Sequence, residues 1–369
     1  MSPPARRPEK PTVLVLGASG YLGDAVSRAF ARAGWRVYGL VRRASAASSL
    51  FADEITPVIG SITARGDALD TLLADESTRP FDVVVSCTEQ IPFDAHWAHI
   101  LQLLVKVARH AGAEKGRKKK PLVLMSSGCK DYGTTARDRE VGLAPHTEDS
   151  PLKPADIVSP RAFSALDVFE HKDLFDAAVI RPTPLFGYGG SYYGVLFKAM
   201  RGWLENGGGS DGNVLKVPGH LGNIYHGCHI DDCAEAYVAL ATHPSRAAVS
   251  GECFNISGYR YETVGEMMSA MTAEYGIKAD IIAAPTAEVS PELRALAAGT
   301  EYSQWVDSSK IRELTGWTDR RELFSENMHM YRLAYEAAEQ AGDSGVARIQ
   351  DRVAGWAASG VTFQEKRAN

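Results

Sequence analysis

Three glycines, Gly17, Gly20 and Gly23, separate the apolar run "TVLVL" from a helical pattern. A G-x-x-G-x-x-G turn between a strand and a helix is suited to holding a diphosphate. The first glycine permits the tight turn, and the second lets a pyrophosphate approach the backbone. The third lets helix and strand pack closely. The helix start adds free N–H groups and the positive end of its dipole. Ser19, Tyr21 and Leu22 lie between and beside these glycines and join the expected cofactor-binding set. The next strand ends in Arg42 and Arg43, with no acid until Asp53. A carboxylate there would bond the ribose 2′-hydroxyl of NAD, whereas guanidinium groups match the 2′-phosphate of NADP. NADP(H) is therefore the expected cofactor.

Residues able to move a proton follow later in the chain. Glu89 comes just after the apolar run "VVVS", in the loop beyond a strand's carboxyl end, where open α/β sheets place their ligands. An apolar pocket there would raise its pKa and suit it to acid–base work. Lys130 and Asp131 sit in "MSSGCKDYG" (125–133), either facing a cleft or paired with each other at the turn. Arg161 follows the helix-start signals Ser159 and Pro160, placed either to orient an anion or to stay solvated. The loop "GYGGSYYG" (187–194) offers Tyr188, Tyr192 and Tyr193 as aromatic walls with hydroxyl handles. Glu89, Lys130, Tyr192 and Tyr193 form the candidate catalytic set. His229, in "HIDD", reads as a structural residue, and Trp203 and Trp305 could wall a site for an aromatic molecule.

The elements that must position these residues alternate. Strands are expected at "TVLVL", "WRVYGLVRR", "ITPVIG", "FDVVVSCT", "PLVLMSS" and "FDAAVIRP", with helices at "DALDTLLA", at "DAHWAHILQLLVKVARHAG" and from Pro160. In the first helix Leu22, Val26, Phe30 and Ala33 share a face. This alternation predicts an α/β chain with a Rossmann-type, doubly wound parallel sheet. Residues 1–10 are expected to be a disordered lead-in, and 11–187 an NADP-binding domain with return elements near 214–258. Residues 188–213 and 259–345 would form a smaller substrate-binding lobe, and 346–369 a C-terminal tail.

Several stretches resemble the extended or atypical short-chain dehydrogenase/reductases, the superfamily of sugar-nucleotide epimerases, dehydratases and NmrA-like proteins. They are "GASGYLG" (17–23), "FDVVVSCT" (81–88), "LMSSGCKDYG" (124–133), "VIRPTPLFG" (179–187), "HIDDCAEAYVAL" (229–240), "GECFNIS" (251–257) and "DSSKIRELTGW" (307–317). The resemblance implies that Ser61 and Ile62 lie near an adenine, that Cys87 and Thr88 border the nicotinamide, and that Pro182 follows the next strand. It also implies a Ser/Thr–Tyr–Lys proton relay, which this sequence lacks. The hydroxyl position aligns with Gly128, no tyrosine occurs between Gly133 and Gly187, and Tyr-x-x-x-Lys occurs nowhere in the chain. Three readings remain open: a non-redox enzyme such as a cyclase or isomerase, an NADPH-dependent carbonyl or imine reductase with other proton donors, and an NADP-sensing binding protein.

Composition narrows the setting. The 369 residues carry a formal net charge of −5 and are 45% hydrophobic, which argues against nucleic acid as a partner despite "GRKKK" (116–120). No run approaches a membrane span, and the polar, proline-rich "MSPPARRPEKP" has no apolar signal core. Five scattered cysteines without a C-x-x-C pair suggest neither disulfides nor a metal site. A cytoplasmic monomer or homodimer acting on a small hydrophobic or aromatic metabolite is the expectation.

Overall fold

The computed structural model describes residues 9–63, 68–75, 79–90, 93–113, 119–208, 214–359 and 363. Residues 1–8 of the expected lead-in, 116–118 of "GRKKK", 209–213 of the expected lobe, and 360–362 and 364–369 of the expected tail lie outside them.

The alternation predicted from sequence is present. Strand β1 (Thr12–Leu16) leads through the glycine turn into helix α1 (Tyr21–Arg32), then β2 (Arg36–Val41), α2 (Ala47–Ala52) and β3 (Thr56–Ile59). Next come α3 (Ala68–Ala74), β4 (Val83–Ser86), α4 (Phe93–Ala113), β5 (Leu122–Ser126), α5 (Ser159–Ser164) and β6 (Asp176–Pro182). With the return strand Glu252–Ile256 they make a seven-stranded parallel sheet, ordered Glu252–Ile256, β6, β5, β4, β1, β2, β3. The order reverses at β1, as in doubly wound folds. Register places Val13 opposite Val37 on one side and Val83 on the other. Val13 to Leu16 are fully buried, as apolar strands covered on both faces must be.

The chain divides into two compact units: Met1–Ser126 with Leu166–Ala178 and Tyr237–Glu252, and Ser127–Ala165 with Val179–Ala236 and Cys253–Asn369. In the first, α4 buries Trp97, Ile100, Leu104, Val107 and Ala111, a helical stripe at three- and four-residue spacing. Helix α1 buries Val26 and Phe30, whereas Leu22 is half-buried and Ala33, just past the helix end, is exposed. The second unit has its own core around Tyr193, Phe197, Met200, Met267, Met271, Phe324 and Tyr335. Its helix Val264–Glu274 starts from a reciprocal capping box between Thr263 and Glu266. Residues 346–359 of the expected tail belong to the helix Ser344–Ser359, which buries Val346 and Val353.

The glycine turn is steric rather than merely permissive. Gly17 has φ +80°, and a side chain there would meet the Thr88 methyl at 2.8 Å and the Cys87 carbonyl oxygen at 3.1 Å. A side chain at Gly23 would collide with the Gly17 carbonyl oxygen. Gly23→Ala is expected to lower stability by about 1–3 kcal/mol, measured as a lower urea midpoint.

Candidate functional site

In the first unit, the turn places backbone N–H groups at the start of α1. Gly20 precedes the helix, and no side chain caps it, so these donors fit a diphosphate. Ser19 is exposed, and Tyr21 and Leu22 are half-buried beside the turn. Arg42 and Arg43 follow β2, both exposed, and no acid pairs with either among the described residues. Ser61 and Ile62 follow β3, half-buried, with Ser61 Oγ 3.0 Å from Thr63 Oγ1. Beyond β4, Cys87 and Thr88 are half-buried, and Glu89 is exposed rather than set in an apolar pocket. Sequence reasoning passed over His96. It is buried on α4, its Nε2 lies 3.1 Å from Thr88 Oγ1, and burial lowers its pKa.

In the second unit, the loop after β5 is built around one carboxylate. Asp131 is fully buried and accepts a 2.6 Å charge-assisted bond from Arg161 Nη2 on α5. Ser127 Oγ donates to its other oxygen, and Arg181 Nε on β6 stands 3.7 Å from that oxygen. Arg161, its side chain 16% exposed, is therefore not a solvated helix start. It fills the space beside Gly128, where a side chain would meet Arg161 Nη2 at 3.2 Å. Pro182 is half-buried at the end of β6.

Lys130 does not pair with its neighbour Asp131. Its amine lies 3.9 Å from the centre of the Tyr302 ring and 4.0 Å from that of Phe363. Among the described residues the amine has neither an ion pair nor a hydrogen bond. Loss of water first, and the Arg161 guanidinium second, bring its pKa down from 10.5 to about 7. The ring faces attract a cation, which works against the loss of water that lowers the pKa.

The family model for the NAD dependent epimerase/dehydratase family matches residues 13–257, well over half of the chain. The chain belongs to that family. Solved structures share its fold. The Bacillus cereus UDP-glucuronic acid 4-epimerase in complex with NAD is 16% identical, covering 88% of this chain and 99% of its own, with a TM-score of 0.62. The Bacillus anthracis dTDP-glucose 4,6-dehydratase, also in complex with NAD, is 18% identical over 89% and 98%, with a TM-score of 0.65. The UDP-glucose 4-epimerase of Thermotoga maritima, with UDP-glucose, is 17% identical over 89% and 99%, with a TM-score of 0.63. No curated protein matches the sequence.

Among the other expected groups of this epimerase/dehydratase-family chain, Tyr192 is linked to the Lys130 cage through Trp356, whose ring packs edge-on against Phe363 at 5.1 Å. Tyr192 stacks on Trp356, and its hydroxyl accepts from Arg352 at 2.9 Å. Tyr193 is buried against Phe186, Tyr225 and Phe324. Exposed Tyr188 donates to Asp231 at 2.7 Å. His229 is buried among Phe186, Tyr188 and Tyr331, and burial lowers its pKa to about 4. Trp305 lies edge-on to Tyr261. Trp203 lines a cavity of about 490 Å³ with Val214, Lys216, Val289, Leu293 and Arg294, a lining that includes neither Lys130 nor Arg161. Among the described residues no helix is long and apolar enough to cross a membrane, and no cluster of three metal-ligating side chains occurs. The cysteines are free, with Cys129, Cys228 and Cys233 buried.

The caged amine makes stability depend on pH in a defined direction. The unfolded amine titrates near 10.5 and the folded one near 7. Between those values the unfolded chain carries the extra proton, so stability rises with pH; below about 7 both states are protonated and the full penalty applies. Lys130→Met should therefore stabilise the protein most below about pH 7, with the gain fading as pH rises toward 10. Urea unfolding of both proteins across that range measures it.

Proposed function

We propose that this chain binds NADP(H) at its glycine turn and works without the family's Ser/Thr–Tyr–Lys relay. Its substrate is a small hydrophobic or aromatic metabolite, and its chemistry is an acid–base step, a cyclisation or isomerisation, that leaves the oxidation state unchanged. The observation that carries this reading is at position 128, where a glycine faces the Arg161 guanidinium in place of a hydroxyl. Helix α5, "SPRAFS", supplies no tyrosine to replace it.

The uncapped start of α1 supports the diphosphate, and the exposed Arg42 and Arg43 support a 2′-phosphate. When bound, the dinucleotide would supply a flat ring that is cationic when oxidised. Lys130 exchanges the substrate's proton at Nζ, since a group poised near 7 gives and takes protons at neutral pH. The Tyr302 and Phe363 rings beside it favour an aromatic or cationic substrate. The Arg161–Asp131 pair holds the loop that carries Lys130, and burial first and the Arg161 guanidinium second disfavour its ammonium form.

Two measurements test this. Calorimetric titration should give tighter binding of NADP than of NAD, with most of the difference lost in the Arg42→Ala, Arg43→Ala double variant. Equal affinities in the parent would remove the NADP assignment. Mixing the protein with NAD or NADP and either UDP-glucose or UDP-glucuronic acid should give no absorbance rise at 340 nm and no altered sugar. Appearance of the reduced cofactor would show that a redox relay operates and would overturn the non-redox reading.

A further inference from the structure

We infer that Lys130 is a carbonyl-capturing amine, forming a protonated imine with an aldehyde or ketone that carries an aromatic or apolar body. This rests on the reading of Lys130 as the group that meets substrate and specifies what it meets.

The placement of the amine argues for it. A lysine becomes a nucleophile when it is desolvated or held beside another cation, and Lys130 has both conditions. Two aromatic rings lie within about 4 Å of Nζ, and the Arg161 guanidinium disfavours its proton. The one adjacent carboxylate, Asp131, could have neutralised an ammonium. It is instead engaged by Arg161 and Ser127, with Arg181 beside it. The Tyr302 hydroxyl is likewise occupied, donating to the Gly133 carbonyl oxygen at 2.7 Å and accepting from Gln304 at 3.0 Å. Among the described residues neither a donor nor an acceptor is hydrogen-bonded to the Lys130 amine, so in the neutral form its lone pair is not committed to another group. The residue is half-buried rather than sealed.

The chemistry balances without an oxidant or reductant. The neutral Nζ attacks the carbonyl carbon, and the C=O π pair moves to oxygen. The oxygen takes up the proton that nitrogen releases, which gives a carbinolamine. That hydroxyl then leaves as water with one proton from solvent while the nitrogen lone pair closes the C=N bond. The product is a cationic imine, a form that both ring faces attract. Hydrolysis reverses each step.

The test uses the full chain with benzaldehyde and sodium cyanoborohydride, which reduces any imine to a stable benzylamine, followed by peptide mapping. At pH 7 Lys130 should be labelled on the order of tenfold or more faster than exposed Lys278. A lower pKa raises the neutral fraction more than it lowers nucleophilicity. The initial rate should level off above about pH 7, and Lys130→Met, checked for folding by circular dichroism, should lose that label alone. Labelling of Lys130 no faster than Lys278 would overturn the inference. The outcomes separate from those of the non-redox reading. Selective labelling together with hydride transfer to NAD would keep the imine and discard that reading. Silence at Lys130 with no hydride transfer would do the reverse.

Discussion

The Asp131 carboxylate is the constraint on which the loop after β5 depends. A charge with no exposed surface requires partners, because isolated burial costs several kcal/mol and loss of one partner typically costs about 3–5 kcal/mol. Here those partners come from separate parts of the chain: Arg161 from α5, Arg181 from β6 and Ser127 from the end of β5. The Asp131 carbonyl oxygen also accepts from the Lys153 backbone. One side chain therefore fixes the loop after β5 against two other elements. It also leaves the next residue back, Lys130, without the counter-ion that sequence adjacency would suggest.

The rest of that loop is held by polar bonds from residues much later in the chain. Gln304 Nε2 donates to the carbonyl oxygens of both Cys129 and Gly133 at 2.7 Å. Tyr132 donates to Asn255 and accepts from Arg181, each at 2.8 Å. Cys129 Sγ donates to the Arg181 carbonyl oxygen. Desolvation pushes the Cys129 thiol well above its usual range, which marks it as packing rather than a nucleophile. These bonds satisfy buried donors and acceptors that would otherwise cost about 1–3 kcal/mol each. They make the loop a rigid support.

Local patterns made the sheet readable. The apolar runs at 12–16, 83–86 and 122–126, and the glycine turn at 17–23, dictate strand, turn and helix within a few residues, and the structure has them there. The loop after β5 could be seen to matter from Lys130 and Asp131, but not how it is wired. Whether Asp131 pairs with Lys130 or with Arg161 depends on where α5 docks, which no local pattern encodes. The aromatic cage was illegible for the same reason. Tyr302 and Phe363 have no periodic signal that ties them to position 130, and Phe363 falls in the stretch expected to be a tail. His96 was hidden inside the apolar stripe of α4, where its Thr88 bond has no sequence signature.

The contribution of Phe363 gives the amine a history within each molecule. At ordinary translation speeds of about 5–20 residues per second, tens of seconds separate synthesis of Lys130 from that of Phe363. Tyr302, the other wall, is also made long after position 130, so for most of that interval the lysine has neither ring beside it. The surroundings of this amine are thus complete only after distant parts of the chain have been made and folded.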